Sequence, residues 1–357
     1  MSHPYRSQPT RAFWKRTISD RHPLDIADWY QKRFDLTDRR IATAGSCFAQ
    51  HIGRHLRTQG FAYLDTEPRP EALAPEVAQS FGYGVYSARY GNVYTSRQLL
   101  QLLRRALGTF QPQEQPWAKG EGVVDPFRPT IEPEPFSSQH ELDQMRSYHL
   151  DCVAELFSTA EVFIFTLGLT ETWQSRHDGA AFPLCPGTEG GTFDPALYAF
   201  HNLTASEVRQ DLETFLAELR AVNPGVKVIL TVSPVPLMAT ATSAQVAVAS
   251  SYSKSVLRAA AGEMVEMHLD VDYFPSYEII TAPFMKGCFF ESDGRQVSHH
   301  GVSHVMKQFF AEHLPKSVAT TAPAGPTAPS AVELRDRLQC DEELLAAFGP
   351  PDGEGRL

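Results

Sequence analysis

Cysteine is scarce in this chain. Its five cysteines stand at 47, 152, 185, 288 and 340, an odd number, far apart and without a C-x-x-C pair. That spacing argues against a disulfide framework and against a cysteine zinc site, and it points to a reducing, cytoplasmic location. Long apolar runs are also missing: none approaches the roughly 20 residues of a helical membrane span. The first residues, MSHPYRSQPTRAFWKRT, lack the apolar core of a secretory signal. Positive charge is not in excess, since 32 Lys and Arg face 42 Asp and Glu for a net charge of −10. Nucleic acid and anionic membranes are therefore not the expected partners. No internal repeat is present.

What is there is the composition of a soluble globular protein, 42% hydrophobic and 21% charged. The length of 357 residues allows one large domain or two ordinary ones, with a real core in either case. Residues 1–38 read as a polar arm with scattered aromatics. Residues 40–44, 161–167, 226–232 and 269–273 read as strands. Of these, 161–167 and 226–232 are near-continuous apolar runs of the kind buried in parallel sheets. Helical spacing marks 48–60, 96–107, 137–158, 205–221, 243–268 and 301–313. The Pro/Gly-rich stretches 65–95 and 110–136 read as irregular. Strands alternating with helices imply a parallel sheet covered on both faces. After that domain, 39–316, comes a Pro/Ala/Thr linker, 317–331, and then a C-terminal helix and tail, 332–357.

In open parallel sheets, functional groups gather beyond the carboxyl ends of the strands. The first strand ends at Gly45-Ser46-Cys47. Ser46 is either a nucleophile on a catalytic turn or the N-cap of the helix that follows. Cys47 is either a core residue or, as an early helical residue, an activated thiolate. The second strand ends in Gly168-Leu169-Thr170-Glu171, which can offer an amide and polar side chains to a substrate oxygen. Before the last predicted helix come Asp293, Gln296, His299, His300 and His304. An acid and histidines there suit the base half of a serine triad. The same residues could hold a metal, although their spacing matches no familiar site.

Taken together, several segments resemble the GSCFA-domain family: Gly45-Ser46-Cys47-Phe48-Ala49, Gly91-Asn92-Val93-Tyr94-Thr95, Thr166-Leu167-Gly168-Leu169-Thr170, Val232-Ser233-Pro234-Val235-Pro236, Tyr252-Ser253-Lys254 and Tyr273-Phe274-Pro275-Ser276-Tyr277-Glu278. The resemblance runs over roughly residues 38–315 and extends to the SGNH-hydrolase superfamily of esterases and acyltransferases. It implies a three-layer α/β/α fold, SGNH-hydrolase-like and flavodoxin-like in architecture, with a parallel central sheet. It makes Ser46 the nucleophile, Gly91 the second-block glycine whose amide helps form an oxyanion hole, and Gly168 the third-block glycine. Thr170 stands where the superfamily's third block carries Asn, and Glu171 follows it. In the last block an acid precedes the catalytic histidine by three residues, but here Asp293 is followed at that distance by Gln296. Either His299 or His300 acts as base after a local shift, with His304 as the third choice, or the triad is incomplete.

The resemblance thus implies an esterase or O-acyltransferase acting through Ser46 on an acylated, carbohydrate-class substrate, with no cofactor and no metal. Trp173, Tyr83 and Tyr86 are aromatics that could stack on a sugar or simply pack. The alternative is a binding or scaffolding protein without turnover. In that case Leu334, Leu338, Leu345 and Phe348, on one face of the C-terminal helix, would dock a partner or a second copy, or fold back on their own domain.

Overall fold

A run such as Val162-Phe163-Ile164-Phe165-Thr166-Leu167 can be buried only if both faces of its strand are covered. In the computed structural model, which describes residues 3–314 and 340–349, both faces are. In chain order the elements are Ile41–Gly45 (β1), Phe48–Thr58 (α1), Pro75–Ala78 (α2), Ser96–Ala106 (α3), Trp117–Lys119 (β2), Gly122–Val124 (β3), Gln139–Thr159 (α4), Val162–Leu167 (β4), Glu171–Ser175 (β5), Ala181–Phe182 (β6), Tyr198–Asn202 (β7), Ala205–Val222 (α5), Lys227–Val232 (β8), Val246–Met267 (α6), Val271–Phe274 (β9), Ser276–Thr281 (α7) and His299–His313 (α8). A 3₁₀ segment, Asp341–Phe348, closes the described chain.

The main sheet has the order β1-β4-β8-β9, and every pairing is parallel, from Ile41↔Val162 through Val162↔Lys227 to Val228↔Val271. Side chains alternate strictly between its two faces. Phe163, Phe165, Leu167, Val228 and Leu230 join one core with side chains of α3, α4, α5 and α6. Val162, Ile164 and Ile229 join the other with Phe48, Ile52 and Leu56 of α1 and Val305 and Phe309 of α8. The expected three-layer α/β/α architecture with a central parallel sheet is therefore the one observed. Fully burying a Phe or Leu is worth roughly 1.5–3 kcal/mol, so this double-sided core dominates the stability of the fold.

The N-terminal arm lies on the domain. Trp29 stacks on Phe284, the Tyr30 hydroxyl donates to Asp272 at 2.7 Å, and Arg33 Nη1 binds the Val265 and His268 carbonyls at the end of α6. Those carbonyls have no intrahelical donor, so a cation there satisfies them. Among the described residues no helix is long and apolar enough to cross a membrane.

Three local differences from the sequence reading have clear causes. The stretch 110–136 contains the short antiparallel pair β2–β3, which turns at Gly120 with φ of 58°. The segment after β4 folds into a second, antiparallel sheet of order β6-β5-β7, whose strands are too short to hold a long apolar run. Helix α8 starts at His299 and not at Gly301, because Ser298 caps it by accepting from the Gly301 amide at 3.2 Å. Of the expected C-terminal helix, 332–339 lie outside the described residues, and Asp341–Phe348 is 3₁₀ and packs against its own domain.

Candidate active site

The turn after β1 is built on a glycine. Gly45 has φ of +141°, and a Cβ there would come within 2.4 Å of the Thr166 carbonyl oxygen. Any other residue would push β1 off β4. The Ser46 amide donates to Thr166 O at 3.1 Å, and Ala49 N donates to Ser46 O at 2.8 Å as α1 begins. The N-cap position belongs to Cys47, and no side-chain cap is made. Ser46 is thus not a helix cap. It is 3% exposed, and its Oγ has no hydrogen-bond partner. Leaving a buried hydroxyl unpaired costs on the order of 1–3 kcal/mol. Cys47 is buried, as a core residue would be.

Gly168 packs directly on the serine: a Cβ added there would lie 2.9 Å from Ser46 Cβ and 3.1 Å from Tyr94 O. Its own amide donates to Tyr94 O at 2.9 Å. The Thr170 amide donates to Ser253 Oγ at 3.0 Å, and the Thr170 hydroxyl to Asn202 Oδ1 at 2.6 Å. The amides of Ser46, Gly168 and Thr170 are therefore all engaged within the protein. Glu171 accepts from Thr240 Oγ1 at 2.6 Å and Ala241 N at 3.1 Å, which ties the loop after β8 to the small sheet. Gly91, with φ of +67°, turns the chain beside Asn92. Asn92 Nδ2 donates to Asp341 Oδ2 at 2.9 Å, while its Oδ1 accepts from the Tyr86 hydroxyl at 2.6 Å. That hydroxyl also lies 3.2 Å from Ser46 O, so Tyr86 is a buried strut and not a stacking surface. Tyr83 instead lies under the Arg89 guanidinium, 4.1 Å away.

The histidines and Asp293 stand differently. Asp293 is exposed, and its Oδ1 accepts from the amides of Arg295 and Gln296 at 2.9 and 3.0 Å. His299 and His300 are exposed on the first turn of α8. His304 is stacked on Phe289 at 4.8 Å, its Nε2 is unpartnered, and burial lowers its pKa. None of the three is bonded to Ser46 Oγ. Gln296 Nε2 donates to Glu343 at 3.2 Å. Among the described residues no three His, Cys, Asp or Glu side chains converge as metal ligands would.

Other groups, unassigned by sequence reasoning, meet beside Ser46. Lys254 of α6 is 4% exposed, and its Nζ donates to Gly168 O at 2.5 Å, so one residue separates it from the serine. Burial pulls the Lys254 ammonium down to about 8; Glu342, Cys47 and Cys340 oppose that fall and Arg295 adds to it. Arg295 Nε donates to Pro236 O at 3.2 Å, and its Nη2 reaches Glu342 Oε2 at 3.3 Å and Cys340 Sγ at 3.7 Å. A hydrogen bond between the thiols of Cys47 and Cys340 raises the pKa of the first and lowers that of the second. Lys254 lies within the family segment Tyr252-Ser253-Lys254, but its serine neighbours give it no local mark. Asn92 likewise lies in a family segment, beside Gly91. Arg295 and the C-terminal acids carried no local signal.

Past Glu342 opens a cavity of about 780 Å³, lined by Leu169, Trp173, Phe182 and Leu237 and covered by Leu345 and Phe348. Its walls come from the small sheet, the loop after β8 and the C-terminal segment.

A doubly covered parallel sheet, with a buried serine on a glycine turn at its carboxyl edge, defines the class: an α/β protein with a parallel central sheet. The GSCFA family model matches residues 40–309, and the chain belongs to the GSCFA family. Among solved structures it is similar to an acetyl esterase mutant crystallised with acetate ion (12% identity, 77% of this chain and 95% of that one, TM-score 0.36). It is also similar to a carbohydrate esterase family 3 protein from Talaromyces cellulolyticus (11% identity, 77% and 95%, TM-score 0.37). No match was found among curated proteins.

Proposed function

We propose that this protein is a serine-dependent ester hydrolase or O-acyltransferase in which Ser46 is the nucleophile. The observation that carries the reading is the unpartnered, buried Ser46 Oγ on a turn that only Gly45 permits. A hydroxyl that neither caps the helix nor bonds its neighbours is destabilising where it stands, and such groups collect at functional sites.

The base in this proposal is Lys254, in place of the His299 or His300 with Asp293 implied by the family resemblance. It is held on Gly168 O next to the serine, and a buried lysine that titrates near neutrality can accept the Ser46 proton. Ser46 Oγ then bonds to the ester carbonyl carbon, the alkoxide leaves with a proton from Lys254, and water or a second hydroxyl later takes the acyl group. In this proposal Asn92 supplies the oxyanion donor through its Nδ2, which in the structure is bonded to Asp341; losing one such donor costs about 100- to 1000-fold in rate. An acylated carbohydrate is the substrate class proposed, with Trp173 in the neighbouring cavity as its stacking surface.

The test is p-nitrophenyl acetate hydrolysis by the purified protein and its variants. Ser46→Ala and Lys254→Met should each lose at least about 100-fold, while Cys47→Ala and the His299→Ala/His300→Ala double variant keep their activity. kcat/KM should rise with pH as Lys254 loses its proton, with an apparent pKa near 8. Activity lost with the histidines and kept in Lys254→Met would return the base role to α8. Turnover no higher than in Ser46→Ala would favour a binding protein, the reading consistent with a serine that meets no histidine.

A further inference from the structure

The C-terminal segment enters the site through its acids. Asp341 is 7% exposed and Glu342 is 8% exposed, unusual for carboxylates on a peripheral 3₁₀ turn. Asp341 takes hydrogen bonds from Asn92 Nδ2 at 2.9 Å and Thr130 Oγ1 at 2.7 Å. Glu342 lies 3.3 Å from Arg295 Nη2. The arginine is itself positioned by protein: Asp293 holds its backbone amide and Pro236 O holds its Nε. One carboxylate therefore rests on the proposed oxyanion donor, and the other on a prepositioned, largely buried guanidinium. Ser46 Oγ lies unpartnered in the same region.

The segment that supplies these acids is weakly built. A 3₁₀ run of eight residues with no side-chain cap is longer than such helices usually persist. Its acids at 341–343 meet donors at 92, 130, 295 and 296, so its place depends on those contacts. Were it to leave, Arg295 would keep its position and want a counter-ion, because a largely buried guanidinium without one is costly.

We propose that Arg295 forms an anion subsite beside Ser46, that the substrate is an acylated molecule carrying a carboxylate of its own, and that Asp341 and Glu342 hold its two places as an internal pseudosubstrate. The chemistry rests on the Ser46 reading; the binding does not.

The test separates the two. Binding of 4-acetoxybenzoate and of its neutral methyl ester is measured by calorimetry on full-length Ser46→Ala protein, with and without Asp341→Asn/Glu342→Gln, and with Arg295→Gln. The subsite predicts that the charged ester binds more tightly than the neutral one. It also predicts about ten-fold or greater tightening when the internal acids are neutralised, since a competitor is removed, and loss of the charge preference in Arg295→Gln. As a second readout, fluorophosphonate labelling of Ser46 in otherwise unaltered protein should speed up in Asp341→Asn/Glu342→Gln. Equal binding of the two esters, or no tightening in the neutralised variant, overturns the anion subsite. Failure of labelling and turnover with charge-selective binding intact overturns the Ser46 chemistry instead.

Discussion

Two buried polar clusters in this protein look alike in composition and differ in how they are completed. Behind the sheet edge, Asp125 pairs with Arg128 at 2.9 Å and Arg146 at 3.0 Å. Glu67 there accepts from the Arg89 amide and meets His149 Nδ1, both at 2.7 Å. Each carboxylate in that cluster is met by groups of the domain itself, and the surrounding arginines hold Asp125 well below the usual carboxylate range against the effect of burial. Beside Ser46, the positive groups Lys254 and Arg295 are answered by a segment from the far end of the chain, and the serine by nothing. One cluster is a structural joint. The other has the character of a site whose occupant is replaceable.

That contrast can be broken most sharply by substitution. Asp125→Ala takes the carboxylate away from the buried Arg128 and from Arg146, which keeps Asp143, and should remove about 3–5 kcal/mol of stability, read from urea unfolding. Arg295→Gln should cost under about 1 kcal/mol by the same measurement, because the freed Glu342 can leave for water when its segment undocks. Equal costs would make the Ser46 cluster as structural as the other. Gly168→Ala comes next: the added methyl meets Ser46 Cβ and Tyr94 O, and overpacking of that kind costs about 1–3 kcal/mol.

The smallest effect is a pH slope. Burial holds His149 down at about 4, and His51 and His313 at about 3. An unfolded chain protonates its histidines near 6.5, so below that pH it binds protons that the folded state does not. The contribution of these histidines is present in full above about pH 6.5 and lost progressively as pH falls toward 4. The melting temperature should decline between pH 7 and 5 and decline less in His149→Gln. A flat profile would show that these rings are charged in the folded state.

How much of this was legible in the sequence follows the physics of each part. β4 and β8 could be read directly, because a strand covered on both faces must be apolar throughout. β5, with Glu171, Gln174 and Ser175 among its five residues, could not, since it and its partners are short and hold no long apolar run. The turn at Ser46 was legible because its geometry admits little besides Gly45. The roles around it were not: Lys254 reads as an ordinary helical lysine until α6 is placed against Gly168, and Arg295 sits between an aspartate and histidines that draw the eye first. The scattered cysteines gave no hint that Cys47 and Cys340 adjoin. Those contacts join residues up to 293 positions apart (340 − 47), and only the fold brings them together.

The most direct test of the central claim is mass mapping after fluorophosphonate treatment, on the full-length protein and on Glu342→Gln. The account predicts a single adduct on Ser46, faster in Glu342→Gln, present in Cys47→Ala and absent from Ser46→Ala. No adduct in either protein, or an adduct that persists in Ser46→Ala, would contradict it.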